Sequence, residues 1–277
     1  MTGVQTCALP IRLGVGITGP GEAYLNLGTG IVSGGFSAGY VTDRAFRTMT
    51  GGIPGTYLLE TFFGGGTYNI SWFVEQFSGI GAQPFGLDVS AEQILEAAAS
   101  QLPAGAEGLM ALPYLTGVLS PYWDSNARGA MIGLSGRHGK AHFYRAILEG
   151  LAFEQRLSTT GAERATGTTI DRFLVMGGGS RSALWCQIMA DTLGRPIHIA
   201  REAEATCLGA GILAAVGAGH FDTAKAAAAA MCGTGKCYVP DPRQRDRYDR
   251  FYDIYKDIYP ALRDSFARMR VAMDDIG

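Results

Sequence analysis

The stretch from Asp171 to Gly217, DRFLVMGGGSRSALWCQIMADTLGRPIHIAREAEATCLGAGILAAVG, constrains the fold more than any other part of the chain. Phe173-Leu174-Val175-Met176 is an apolar run of the length of a buried strand. Three glycines follow, Gly177, Gly178 and Gly179, then Ser180, Arg181 and Ser182, then a helical pattern with Trp185, Ile188, Met189 and Leu193 on one face. A glycine turn entering a helix lets a ligand approach the backbone closely, and first-turn N–H groups favour negative charge. Such a turn therefore fits a phosphate or nucleotide seat, although the same pattern also serves as a plain structural turn. A second short strand, Ile197-His198-Ile199, an acidic Glu202/Glu204 pair and a helix of small residues, Leu208 to Ala215, complete an α/β unit.

Composition narrows the function classes. With 47% hydrophobic and 17% charged residues, the chain reads as a globular enzyme rather than a disordered or fibrous one. A net charge of -2 gives no basic footprint, which argues against nucleic-acid partners. No apolar run reaches the length of a membrane span, and no export signal is visible. The five cysteines, Cys7, Cys186, Cys207, Cys232 and Cys237, form no disulfide framework, so reduced thiols and a cytoplasmic setting are expected.

Met1 to Ile11, MTGVQTCALPI, patterns as neither helix nor strand and matches the in-frame translation of a common sequencing-library adapter. Residues 1–11 are therefore expected to be foreign and native sequence to begin near Arg12, leaving 12–277 as one domain with a C-terminal helix. Beyond Arg12, Ala23, Leu25 and Leu27 alternate with Glu22, Tyr24 and Asn26, and Ile31 and Val32 resume after Gly28-Thr29-Gly30. This predicts a β-hairpin with a threonine at its tip, where backbone N–H groups and a hydroxyl can hold phosphate oxygens. A strand over Tyr57 to Phe62 leads into a second glycine turn, Gly64-Gly65-Gly66-Thr67, and a helix from about Tyr68 to Gln76 in which Trp72 is expected to pack in the core. Ala91 to Gln101 is an amphipathic helix with Ser90 as N-cap, and Gly108 to Leu112 a strand.

Several features resemble sites without carrying one. His138 and His142 share helical spacing, yet no third ligand accompanies them. Cys232-Gly-Thr-Gly-Lys-Cys237 superficially resembles a phosphate loop, but it lacks the first glycine and carries Cys237 where a hydroxyl would meet magnesium, so a surface loop is expected. Tyr248, Phe251, Ile254, Tyr255 and Ile258 form an aromatic stripe in the last helix, expected to face the core, with a homodimer surface as the alternative.

Taken together, GGGSRSALWCQIMAD, the Glu202/Glu204 pair and CLGAGILAAVGAG resemble the C-terminal signature region of the FGGY carbohydrate kinases, particularly the xylulokinase-like branch. GAMIGLSGRHGKAHFYRAILE, from Gly129 to Glu149, is similar to the second signature of that family, and Pro121 to Asp124 with Ala127-Arg128-Gly129 to its connecting segment. The resemblance implies an actin-like, ribonuclease H-like ATPase domain, the second of two, with ATP and sugar meeting between them. It implies ATP contacts from Gly28, Thr29 and Gly30, from Gly64, Gly65, Gly66 and Thr67, and from Gly177, Gly178, Gly179, Ser180 and Ser182, the last turn lying on the adenosine side. The implied reaction is transfer of the γ-phosphoryl group of ATP, with Mg2+, to a hydroxyl of a small-molecule sugar such as xylulose or ribulose. The family's catalytic aspartate belongs to a glycine-rich segment shortly before the first hairpin, where this chain carries Met1 to Ile11, and no Asp precedes Asp43. The chain is thus expected to hold nucleotide and to lack catalysis alone; its sugar-binding residues cannot be named. The competing readings are a non-catalytic actin-like nucleotide switch or assembly module, and an unrelated binding module whose glycines are only turns.

Overall fold

The computed structural model describes residues 8–80 and 89–274; the expected foreign segment falls largely outside them. A helix α1 (Ala8–Gly14) runs across the expected junction at Ile11 and Arg12. It leads to β1 (Glu22–Leu27) and β2 (Ile31–Ser37), the expected hairpin, with Leu27 paired to Ile31. β3 (Arg47–Thr50) and β4 (Tyr57–Phe63) extend the sheet, and β4 enters α2 (Thr67–Phe73), which continues as a π-helical turn over Val74–Ser78. Next come α3 (Ala91–Ser100), a small β5 (Met110–Leu112) and β6 (Ala130–Ile132) ribbon, and α4 (Lys140–Thr166). The opening stretch supplies β7 (Arg172–Met176), α5 (Ala183–Leu193), β8 (Ile197–Ala200) and α6 (Ala205–Gly217). α7 (Ala224–Met231), β9 (Thr234–Tyr238) and α8 (Pro242–Asp274) end the described chain.

One seven-stranded mixed sheet, ordered β3-β4-β2-β1-β7-β8-β9, organises these elements. Its centre is the parallel pairing of β1 with β7 and of β7 with β8. Successive strand side chains point to opposite faces. Ala23, Leu25, Leu27, Phe173 and Val175 enter the large core under α4, α5 and α8, whereas Tyr24, Leu174 and Met176 enter a second core on the other face. Tyr24 is therefore buried, not on a polar face as its alternation with Glu22 and Asn26 suggested. The reason is that α1 and α6 cover that side, and a centre strand covered on both faces has no solvent side. α1 lies on α6 backbone to backbone: a side chain at Gly14 would overlap the Ala205 carbonyl, and one at Gly209 the Pro10 carbonyl.

α3 follows its sequence signals, since the Ser90 hydroxyl accepts the Gln93 N–H at 3.2 Å and the Gln93 carboxamide accepts the Ser90 N–H at 2.7 Å, a complete capping box. Two expectations need correction. Gly233 leads directly into β9, so the phosphate-loop lookalike is an edge strand paired with β8 rather than a loop; its alternation of Lys236 and Tyr238 around Cys237 suits an edge. On α8 the buried seam is Tyr248, Tyr252, Tyr255, Ile258, Tyr259 and Phe266, while Ile254 is 57% exposed and Phe251 only partly covered. Aliphatic content misled there, because the tyrosine hydroxyls find buried partners and so can be taken inside.

Tyr259 Oη donates to Asp124 Oδ2 at 2.5 Å, and the partners of Tyr248 and Tyr255 are two carboxylates of α4. Glu149 accepts from Arg145 Nε at 2.8 Å, Tyr248 Oη at 2.9 Å and the Gly105 N–H at 3.0 Å. Glu154 accepts from Tyr114 Oη and Tyr255 Oη, each at 2.6 Å, and its other oxygen has no partner among the described residues. Burial pushes the Glu154 carboxyl up to about 7, with the two tyrosine donors pulling the other way. A folded-state value above the unfolded one means that the stabilisation is present at acid pH and is lost as pH rises through about 7. Thermal unfolding midpoints should accordingly fall between mildly acid and mildly alkaline buffers, and Glu154→Gln should flatten that slope. An unchanged slope in the variant would contradict the assignment.

Candidate nucleotide site

Three glycine turns meet at one edge of the sheet. The β1–β2 tip, Gly28 to Gly30, ends β1; Gly177 follows β7, whose Met176 pairs with Asn26; and Gly64 follows β4, whose Phe63 pairs with Ile31. Parallel pairing of β1 and β7 thus sets the Gly177 turn beside the hairpin tip, and antiparallel pairing of β2 and β4 brings the Gly64 turn to it from the other side.

The turns are joined by backbone contacts. Gly66 N–H and Thr67 N–H donate to Thr29 O at 2.8 Å and Gly28 O at 2.9 Å, and Tyr68 N–H reaches Thr29 O at 3.3 Å. A side chain at Gly66 would overlap the Gly28 carbonyl, and one at Gly30 would lie 2.9 Å from the Phe63 carbonyl. The start of α2 is therefore spent on the hairpin and presents no set of free amides, contrary to the simple helix-terminus argument. Gly65 and Gly66 are buried, whereas Thr29 is exposed and Gly28, Gly30, Gly64 and Thr67 are half-exposed. Among the described residues, the Thr29 and Gly30 amides donate to no backbone carbonyl outside the sheet.

The Gly177 turn is a short 3-10 segment over Gly178–Arg181 ahead of α5, not a direct helix start. Gly177 sits at φ +89°, a region that favours glycine, and a side chain there would also meet Asn26 and Leu27. Gly179 is buried against the Trp185 ring and Leu27. Of the three glycines Gly178 is the exposed one, with nothing within 4 Å of where a Cβ would stand. Ser180 Oγ donates to Gly177 O at 2.7 Å, and Ser182 Oγ accepts the Trp185 N–H at 3.0 Å as the cap of α5. The preceding α5 amide, Leu184 N–H, donates to Glu96 Oε1 of α3 at 3.0 Å. A carboxylate already occupies that helix terminus, so it repels phosphate.

Between these elements opens a cavity of about 490 Å³, lined by Gly178, Gly179, Ser182 and Trp185 on one side, Thr67, Ile70 and Ser71 on another, and Ser90, Glu92, Gln93 and Glu96 of α3 on a third. Sequence reasoning missed the α3 contribution and Tyr144 and Arg181, which also line it. Their signal was present as the polar face of an amphipathic helix, but nothing local tells a solvated face from a cavity wall. The cavity holds the volume of a drug-sized ligand, with apolar floor and polar rim. Trp72 packs half-buried against the main core, as expected.

The two histidines serve turns. His138 Nδ1 accepts the Ser135 N–H and His142 Nδ1 the Gly139 N–H, both at 3.1 Å, and His142 Nε2 lies 3.7 Å from Glu107 Oε2. Among the described residues no group of three His, Cys, Asp or Glu side chains is placed to hold a metal ion, and no helix is long and apolar enough to cross a membrane.

The local geometry separates two kinds of glycine. Gly178→Val should leave the thermal midpoint nearly unchanged, whereas Gly179→Val should destabilise by about 1–3 kcal/mol through overpacking against Trp185. Equal effects in thermal denaturation would refute the distinction.

Residues 23–218 match the C-terminal domain of the FGGY family of carbohydrate kinases. The chain is 32% identical over 249 residues to the xylulose kinase of Staphylococcus epidermidis, covering 89% of this chain and 48% of that protein. It is 36% identical over 236 residues to the glycerol kinase of Citrifermentans bemidjiense, covering 82% of this chain and 44% of that protein. In structure it superposes on the xylulose kinase of Rhodospirillum rubrum with a TM-score of 0.83 at 30% identity, covering 94% of this chain and 51% of that one. The chain spans about half the length of the relatives it matches. The actin-like, ribonuclease H-like α/β fold expected from the sequence is the fold of these neighbours. The chain belongs to the FGGY family of carbohydrate kinases, whose C-terminal domain it matches.

Proposed function

We propose that this chain is the ATP-holding half of a sugar kinase that transfers the γ-phosphoryl group to a hydroxyl of a ketopentose such as xylulose. The observation that carries the reading is the cavity beneath Gly178, bounded on one side by Thr67 of the loop stitched to the Thr29 hairpin. The adenosine lies against Gly178 and Gly179, and the phosphates run toward Gly28, Thr29, Gly30, Gly64 and Thr67. Glu92 and Glu96 favour that direction, since carboxylates at the α3 end disfavour phosphate there. Gly65, Gly66, Gly177, Ser180 and Ser182 support the turns from beneath. Magnesium would arrive with ATP and supply charge neutralisation at its phosphates, with the Thr29 and Thr67 hydroxyls as the oxygen donors of these turns.

Phosphoryl transfer rests on positioning and charge stabilisation, with one carboxylate accepting the hydroxyl proton. That carboxylate is expected ahead of Arg12, outside the residues that line the cavity. The chain accordingly binds nucleotide without turning over sugar by itself. A ketopentose is favoured over glycerol by the xylulokinase-like character of the signatures. Free thiols at Cys186, Cys207, Cys232 and Cys237 support a cytoplasmic setting.

Calorimetric titration should detect MgATP binding to the chain, weakened about tenfold or more by Gly178→Val at unchanged stability, while a coupled assay with xylulose, ribulose and glycerol should detect no turnover. Turnover by the chain alone would refute the division of labour. A parent protein that hydrolyses ATP without regard to any sugar would instead favour a nucleotide switch.

A further inference from the structure

We propose that Asn69 is a positioning residue for the phosphate-facing loop, acting through an interlock with Gly65 that closes when nucleotide phosphates are present; this rests on the nucleotide-binding reading above. Asn69 lies in the first turn of α2 and is 2% exposed. Its Nδ2 donates to Pro113 O at 2.6 Å, just beyond β5, and because a carbonyl needs a donor this orients the carboxamide. Oδ1 must then face away from Pro113, and it has no partner among the described residues. A buried acceptor left unpaired is costly and calls for a reason.

The reason lies in what Oδ1 touches. It fills the space that a Cβ of Gly65 would take. Gly65 is thus a glycine because the Asn69 carboxamide occupies its side-chain position, and the two residues are sized to each other. On its other flank the same loop is held by Gly66 N–H on Thr29 O and Thr67 N–H on Gly28 O. Among the described residues the Gly65 amide donates to no backbone carbonyl outside the regular elements. As phosphates settle against Thr29 and Gly64, the Gly64–Gly65 peptide turns inward and its N–H meets Oδ1. The unpaired acceptor is satisfied only in that state, so Asn69 links phosphate occupancy to loop position, with Pro113 as the fixed anchor.

The test compares MgATP with adenosine, which reaches the Gly178 side and not the loop. In calorimetry on the full chain, Asn69→Ser should weaken MgATP about tenfold and leave adenosine within about twofold. Gly65→Ala should weaken MgATP as well, and the double variant should bind no worse than Asn69→Ser alone, because the shorter side chain vacates the clashing space. Additive losses in the double variant, or an unchanged ratio of MgATP to adenosine affinity in Asn69→Ser, would overturn the interlock. If Asn69→Ser does not fold, hydrogen exchange on the unaltered chain decides: the Gly65 amide should gain protection with MgATP and none with adenosine, and equal protection by both overturns the proposal. Binding of neither ligand by the unaltered chain would instead overturn the nucleotide reading itself.

Discussion

The parallel pairing of β1 with β7 is the interaction on which the site depends. It joins segments far apart in sequence, from Glu22 opposite Arg172 to Asn26 opposite Met176, and the Glu22 carboxylate meets the Arg172 guanidinium at its open end. Only this register brings Leu27 against Gly177 and Gly179. A slip of β1 by one residue against β7 would turn Ala23, Leu25 and Leu27 out of the main core and Tyr24 into it. The cost of closing so long a loop is offset by strands buried on both faces, where each central residue contributes about 1.5–3 kcal/mol of transfer free energy. Register and core are therefore one constraint, and the juxtaposition of the glycine turns follows from it.

Glycine has two uses at this edge. Gly66, Gly177 and Gly179 let backbone or ring approach where a Cβ would collide, and so bring the turns together. Gly178 and the exposed Thr29 face open space. From sequence alone both kinds read as one motif, since a missing side chain looks the same whether a ligand or a neighbouring strand takes the room.

The legible parts of the sequence were those with local causes. The β1–β2 hairpin, the capped α3 and the strand–turn–helix from β7 to α5 follow from alternation, cap chemistry and helical spacing. The illegible parts depended on what lies across the fold. Tyr24 is buried because α1 and α6 cover its face, and Tyr248 and Tyr255 of the α8 seam are taken inside, in place of Ile254, because Glu149 and Glu154 wait on α4 to receive their hydroxyls. Likewise, nothing near Asp171 to Gly217 discloses that Glu96 of α3 takes the amide of Leu184. The resemblance to a family located the turns, while the third wall of the cavity needed coordinates.

That third wall gives the site its polarity. At the α5 end the protein has already supplied the negative charge that the helix terminus attracts, through Glu96, and the cap oxygen, through Ser182. At the hairpin end the α2 amides are consumed by carbonyls, yet the tip keeps the exposed Thr29, and among the described residues the Thr29 and Gly30 amides donate to no backbone carbonyl outside the sheet. Of the three turns, the Gly177 turn and Thr67 reach the cavity wall, where the Glu92 and Glu96 carboxylates and the Arg181 guanidinium also stand. The charges of the cavity wall, Glu92 and Glu96 on α3 and Arg181 ahead of α5, are thus set by packing between segments far apart in sequence, while the glycine turns contribute backbone and hydroxyls.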